Sequence, residues 1–124
     1  MSHPEEERHP FLDDLTADAV LDATVLRGPL TGREAIRLAV STVGTFYAGQ
    51  TPRFLQVADR RLFLEYDAVL GSGESLRATV IVDRNADGSV PRVSVRMSPL
   101  GPVLALAAQL RDALSTQWPA RLFL

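Results

Sequence analysis

Polar and apolar positions alternate with a period of two most clearly in the second half of the chain. From Leu76 to Asp83 the residues Ala78, Val80 and Val82 share one side and Arg77, Thr79 and Asp83 the other, with Ile81 an apolar exception. The next run repeats the pattern, setting Val93, Val95 and Met97 against Arg92, Ser94 and Arg96. Between them Asn85-Ala86-Asp87-Gly88 is a turn cluster in which Gly88 can take positive φ. A preceding run, Leu62 to Leu70, is rich in aliphatic and aromatic types and ends at Gly71-Ser72-Gly73. It divides into Leu62, Leu64, Tyr66 and Ala68 on one face and Arg61, Phe63, Glu65, Asp67 and Val69 on the other. The charges of the second set make the Tyr66 face the inner one. Three strands of an antiparallel meander follow, with Glu65 and Asp67 available to pair across strands with Arg77, Arg92 or Arg96. Pro91 donates no N–H and belongs at a strand start or an edge.

The rest of the chain follows helical spacing or shorter patterns. Thr31-Gly32-Arg33-Glu34 has the form of a capping box. The apolar stripe behind it, Ala35, Ile36, Ala39, Val40, Val43, Phe46 and Tyr47, predicts a helix capped at Gly49 and laid on the sheet. Ser98-Pro99 suits an N-cap with proline in the first turn, and Leu104, Leu106, Ala107, Leu110 and Leu114 predict a second helix ending near Ser115. Before the first helix, Phe11 to Leu15 predicts one helical turn, with a second starting at Thr16 or Asp18. Val20 to Leu26 predicts a strand with Leu21, Ala23 and Val25 opposed to Val20, Asp22, Thr24 and Leu26. Thr51 to Val57 reads as a loop with a short strand beginning at Pro52. The apolar segment Trp118 to Leu124 should pack on the core or on a second subunit.

At 124 residues the chain is one domain with a single core. Residues 1–10 read as a mobile tail and 11–124 as the domain, and the two histidines of the tail, His3 and His9, as solvated side chains and not metal ligands. A net charge of −2 offers no electrostatic footprint for nucleic acid or an acidic membrane, so neither partner is expected. The lack of cysteine leaves no disulfide framework, thiolate nucleophile or cysteine metal site. No bound cofactor or metal is expected. The opening MSHPEEERHP has no signal-peptide core and no apolar run approaches a membrane span, which predicts a soluble cytoplasmic protein.

Three pieces of sequence carry a resemblance: Leu30-Thr31-Gly32-Arg33-Glu34-Ala35-Ile36, Leu64-Glu65-Tyr66-Asp67-Ala68 and Asp83-Arg84-Asn85-Ala86-Asp87-Gly88. In that order, after a strand ending in Gly28-Pro29, they resemble the SnoaL-like branch of the nuclear transport factor 2-like superfamily. The resemblance covers roughly residues 11–114, and none of its pieces is a catalytic signature. It implies a cone-shaped α+β fold, a curved, mostly antiparallel sheet closed by helices around an apolar pocket, here with a shortened N-terminal helix. Dimers are common in the family, which includes ketosteroid isomerases, polyketide cyclases and epoxide hydrolases. By that resemblance the isomerase base falls at Ala23 and the acid of the oxyanion hole at Val80, neither of which can move a proton. The late acid of the hydrolases and cyclases falls in Val95-Arg96-Met97-Ser98, where none stands. With the N-terminal helix short, one side of the core should be thinly covered.

The catalytic residues are therefore unknown, and the candidates are pocket-lining residues: Tyr47, Leu64, Tyr66, Val80, Val82, Val93, Val95 and Met97. Hydroxyls of Tyr47, Tyr66 and Thr24 are the remaining polar groups for the pocket mouth, Asp22 facing away. The leading functional expectation is a small apolar-ligand-binding protein that forms a homodimer. The alternatives are an isomerase, cyclase or epoxide-hydrolase-type enzyme acting on a hydrophobic molecule, and a purely structural homodimer.

Overall fold

The structure, a computed structural model, describes residues 10–124; the histidine reading and all but the last residue of the expected tail fall outside them. A 3-10 turn (Pro10–Asp13) leads into strand β1 (Leu15–Ala23), the two-residue strand β2 (Leu30–Thr31) and helix α1 (Arg33–Thr45). Strands β3 (Tyr47–Ala58), β4 (Arg61–Leu70), β5 (Ser75–Asp83) and β6 (Val90–Ser98) follow, then helix α2 (Leu100–Ala113) and a second 3-10 turn (Ala120–Leu122). The strands form one open six-stranded sheet in the order β2-β1-β6-β5-β4-β3, antiparallel except where β1 runs parallel to β6.

The meander has the expected register. Val80 stands opposite Val95, Val82 opposite Val93 and Ala78 opposite Met97, while on the other side of β5 Leu64 faces Val80 and Tyr66 faces Ala78. Directly paired residues point to the same side of a sheet, so these side chains make one apolar wall. Ala78, Val80, Val82, Val93 and Val95 are buried, and no polar or charged residue is buried among the described residues. Both helices lie on this face, α1 against β1 and α2 against β5 and β6. Ile36 and Leu106 are wholly enclosed; burying one such side chain stabilises the fold by about 1.5–3 kcal/mol.

The opposite face carries the ion pairs. Asp67 accepts from Arg77 Nε at 2.8 Å and Arg53 Nη1 at 3.1 Å, and Asp83 accepts from Arg61 Nε at 2.6 Å. The Arg77 hydrogen bond leads in holding the Asp67 carboxyl below the usual carboxylate range. Asp22 pairs with Arg92 across β1 and β6, on the outer side as its alternation with Ala23 implies.

Several expectations are corrected. The strand expected from Val20 starts at Leu15 and ends at Ala23, replacing the second helical turn near Thr16. Leu15, Ala19 and Leu21 are buried on its inner side, but a register shift between Leu15 and Val20 breaks the alternation that would have revealed it. No capping box forms. Thr31 is taken up by β2, opposite Val20, and Gly32 becomes the N-cap with φ 113°, a conformation that favours glycine. Helix α1 stops at Thr45 and not at Gly49, so Tyr47 belongs to β3.

The Thr51 to Val57 segment is the middle of that 12-residue edge strand. Pro52 is tolerated there because the outer N–H side of an edge strand has no ladder to complete, and a register shift follows it. Leu55 and Val57 pair with Leu64 and Leu62, and at 66% exposure each they mark the thinly covered side of the core. At the second helix Ser98 ends β6, Pro99 is the N-cap, and Leu104 faces outward. The Trp118–Leu124 segment packs on the core of its own chain, where Phe123 is buried.

Two substitutions test this arrangement by urea denaturation. Ile36→Ala should cost about 2–5 kcal/mol, because it leaves a hole between α1 and the sheet. Thr31→Ala should cost less than about 0.5 kcal/mol, because Thr31 is exposed and no side chain caps α1; a loss near the ~1 kcal/mol of a working N-cap would contradict the structure.

Candidate functional site

The wall and the two helices do not meet everywhere. Between them is a cavity of about 50 Å³. Its floor is the Val80–Val95 pair with Met97 and Tyr66, its roof is Ala39, Val40 and Val43 of α1, and Leu110 of α2 closes one side. Phe11, Leu21, Ala23, Val25 and Leu26 complete the lining, from the first turn, β1 and the loop after it. Of the residues expected to line a pocket, Tyr66, Val80, Val95 and Met97 do so. Leu64, Val82 and Val93 lie on the same inner face but outside the cavity, and Tyr47 stands behind Tyr66 without lining it.

The helical and β1 contributors were not among the candidates, although the signal was present. Ala39, Val40 and Val43 lie on the predicted helical stripe, and Leu21, Ala23 and Val25 form the inner set of the predicted first strand. What the pattern lacks is the distance between these two surfaces, which depends on how far small residues let α1 approach β1. Ala23 and Ala39 leave room that larger side chains would fill.

Ala23 and Val80, the positions at which the resemblance places an isomerase base and an oxyanion-hole acid, both face the cavity. Both are hydrocarbon. No carboxylate, lysine or histidine lines the cavity among the described residues. Thr24 is also spent elsewhere: its hydroxyl donates to the Val95 carbonyl at 3.3 Å and accepts the Met97 N–H at 3.0 Å, locking the end of β1 to β6. Asp22 is on the far side of the sheet with Arg92. Among the described residues no group of three or more potential metal ligands gathers anywhere.

The polar feature that remains is a pair of phenols. Tyr66 is 4% exposed, and its hydroxyl lies 3.0 Å from that of Tyr47, the rings meeting edge to face at 5.9 Å. Tyr47 opens β3 opposite Leu70, just ahead of a register shift between Tyr47 and Gly49, and its hydroxyl reaches that of Tyr66 on β4. Tyr47 as a whole is only partly exposed, and its hydroxyl lies deep. Burial pushes its phenol far above the ordinary tyrosine value, and the adjoining Tyr66 adds to the shift. At neutral pH it is a hydrogen-bond donor and acceptor, not a base. A cavity of this size exceeds the ~10–15 Å³ one water needs, yet water also needs two to four polar partners.

Tyr47 also gives a pH prediction. Its folded pKa is raised, so above about pH 10, the ordinary tyrosine value, the unfolded chain loses this proton while the folded chain keeps it. The contribution is fully present below that pH and is lost as pH rises beyond it. The urea midpoint of the native chain should fall more steeply above about pH 10 than that of Tyr47→Phe; superimposable profiles would contradict the buried phenol.

No protein-family model matches the sequence, and no curated protein matches it. Solved structures do match. A steroid delta-isomerase from Pseudomonas aeruginosa superposes with a TM-score of 0.79 at 20% identity, over 90% of this chain and 89% of that one. An uncharacterised protein with a cystatin-like fold from Silicibacter pomeroyi gives 0.79 at 19% identity, over 86% and 75%. A SnoaL-like family protein from Agrobacterium tumefaciens gives 0.56 at 12% identity, over 80% and 86%. At these identities the likeness is one of architecture: the chain has the cystatin-like α+β fold found in nuclear transport factor 2-like and SnoaL-like proteins.

Proposed function

We propose that the protein binds a small, largely apolar molecule between α1 and the Val80–Val95 pair, with Tyr66 as the anchor for one ligand oxygen. The observation that carries this reading is the lining itself, whose side chains are all hydrocarbon but for Tyr66, the hydroxyl of which lies 3.0 Å from that of Tyr47. The fold adds support, since a steroid delta-isomerase shares it, and that enzyme is named for an apolar substrate. Catalysis of that kind is not part of the proposal because the two acid positions are Ala23 and Val80.

We further propose that the active form is a homodimer joined through the outer face of the sheet. Both helices cover the inner face and leave the outer one bare, with Ile81 and Phe63 paired at its centre. Around them Arg92, Arg77 and Arg61 alternate with Asp22, Asp67 and Asp83. A surface holding both signs around an apolar middle is self-complementary under a two-fold axis.

A thermal-shift panel of cyclohexanone, naphthol and their hydrocarbon counterparts tests the binding site. Any ligand at about 100 times its Kd should stabilise the fold by about 2.7 kcal/mol and raise Tm by several degrees. Tyr66→Phe should weaken the oxygenated compounds by up to about tenfold and leave the hydrocarbons unchanged. No shift with any compound, or an equal loss for both classes, counts against the reading. Sedimentation velocity tests the dimer: the native chain should sediment as a dimer and Ile81→Arg as a monomer, whereas a native monomer removes the proposal.

A further inference from the structure

At about 50 Å³ the cavity has roughly a third of the ~150 Å³ that accommodates benzene in an apolar core. A ligand of the proposed kind is therefore fully enclosed only if one wall moves, and the walls differ in how firmly they are held. Val80, Val95 and Met97 stand on strands hydrogen-bonded on both sides, and shifting them breaks ladders. Val25 and Leu26 lie beyond the end of β1, in a loop that belongs to neither sheet nor helix.

That loop is held from behind by residues 122–124. The Arg27 N–H donates to the Leu122 carbonyl at 2.8 Å, the Leu124 N–H donates to the Val25 carbonyl at 2.8 Å, and Arg27 Nε donates to the Phe123 carbonyl at 2.9 Å. Leu26 and Phe123 face each other in an isolated antiparallel bridge, both buried. Among the described residues, the hydrogen bonds that join residues 122–124 to the body of the fold all end on Val25 or Arg27. Upstream, exposed residues 115–117 and 119 connect this segment to α2, and the Trp118 N–H donates to the Leu114 carbonyl at the helix end. The Trp118 ring lies 6.5 Å from that of Phe123, so the two aromatic side chains of the segment pack on each other.

We infer that residues 118–124 are a strap that sets the size of the ligand cavity: seated, they press the Val25–Arg27 loop against the cavity, and released, they let that wall withdraw to admit the ligand. This rests on the binding reading above. It makes the seated form the closed state, so the apparent affinity for a ligand larger than the present cavity is scaled by the fraction of chains with the strap released.

The chain has no cysteine, which permits a clean lock. Leu26→Cys with Phe123→Cys places two thiols at a directly opposed pair without mutual hydrogen bonds. Such pairs have Cα atoms about 4.5 Å apart, within the ~4.4–6.8 Å that a disulfide spans. The probe is N-phenyl-1-naphthylamine, whose emission rises in apolar surroundings. The reduced double variant should bind it at least about tenfold more tightly than the oxidised form of the same protein. Arg27→Ala, an exposed side chain outside the cavity, removes one strap hydrogen bond and should bind the probe more tightly than the native chain. Equal affinity of oxidised and reduced forms, or an Arg27→Ala affinity equal to or below the native one, overturns the strap and leaves the binding reading standing. An absence of binding in every form, native chain included, removes both.

Discussion

The structure depends on one contact surface, the side-by-side valines of β5 and β6. Val80 against Val95 and Val82 against Val93 fix the register of the two central strands. A slip of one residue would carry Arg92, Ser94 and Arg96 to the inner face and every valine out to water. With that register set, Leu64 and Tyr66 are brought onto the wall by β4, and β1 joins on the other side with Leu21 opposite Val93. The helices then have a surface on which to bury Ile36, Val103, Leu106 and Leu110. The arginine and aspartate pairs outside are a consequence of the same register and not its cause. Exposed ion pairs contribute little beside the apolar burial on the other face.

The same wall gives the cavity its chemistry. Where the side chains of β1 and α1 are small, at Ala23 and Ala39, the helix and the sheet fail to fill the space between them. The space is lined by what the wall is made of, which is hydrocarbon apart from the phenol of Tyr66. The Tyr47 hydroxyl satisfies that of Tyr66 within the interior, which is why a polar group can stand there without destabilising the core. Among the described residues the lining carries one phenol and no carboxylate, lysine or histidine.

How much of this was legible follows from which residues report their own surroundings. The meander announced itself because its inner residues alternate with charged or hydroxyl residues from Leu76 to Asp83 and from Arg92 to Met97, except at Ile81, and four of the proposed lining residues came with it. Strand β3 was legible only as a short strand at Pro52 because every position from Thr51 to Ala58 is exposed, so burial imposes no alternation, and Pro52 with Gly49 imitates a loop. The Thr31 to Glu34 motif misled for a related reason. Local chemistry favours Thr31 as a cap, but β1 offers a partner at Val20, and pairing there moves the cap to Gly32. The parallel contact of β1 with β6 and the seating of Phe123 on Leu26 join residues far apart in the chain, and neither carries a local pattern. Sequence periodicity shows which face is inside; it does not show how closely two inside faces approach, and the cavity is a statement about that approach.

The most direct measurement is a methyl-resolved NMR titration of the native chain, labelled at valine, leucine, isoleucine and methionine, with cyclohexanone. Binding between α1 and the Val80–Val95 pair predicts shifts concentrated on the methyls of Val40, Val43, Val80, Val95 and Met97, with the Ile81 methyls on the outer face unmoved. Shifts centred on Ile81 or on exposed Leu55 and Val57, with Val80 and Val95 silent, would contradict it.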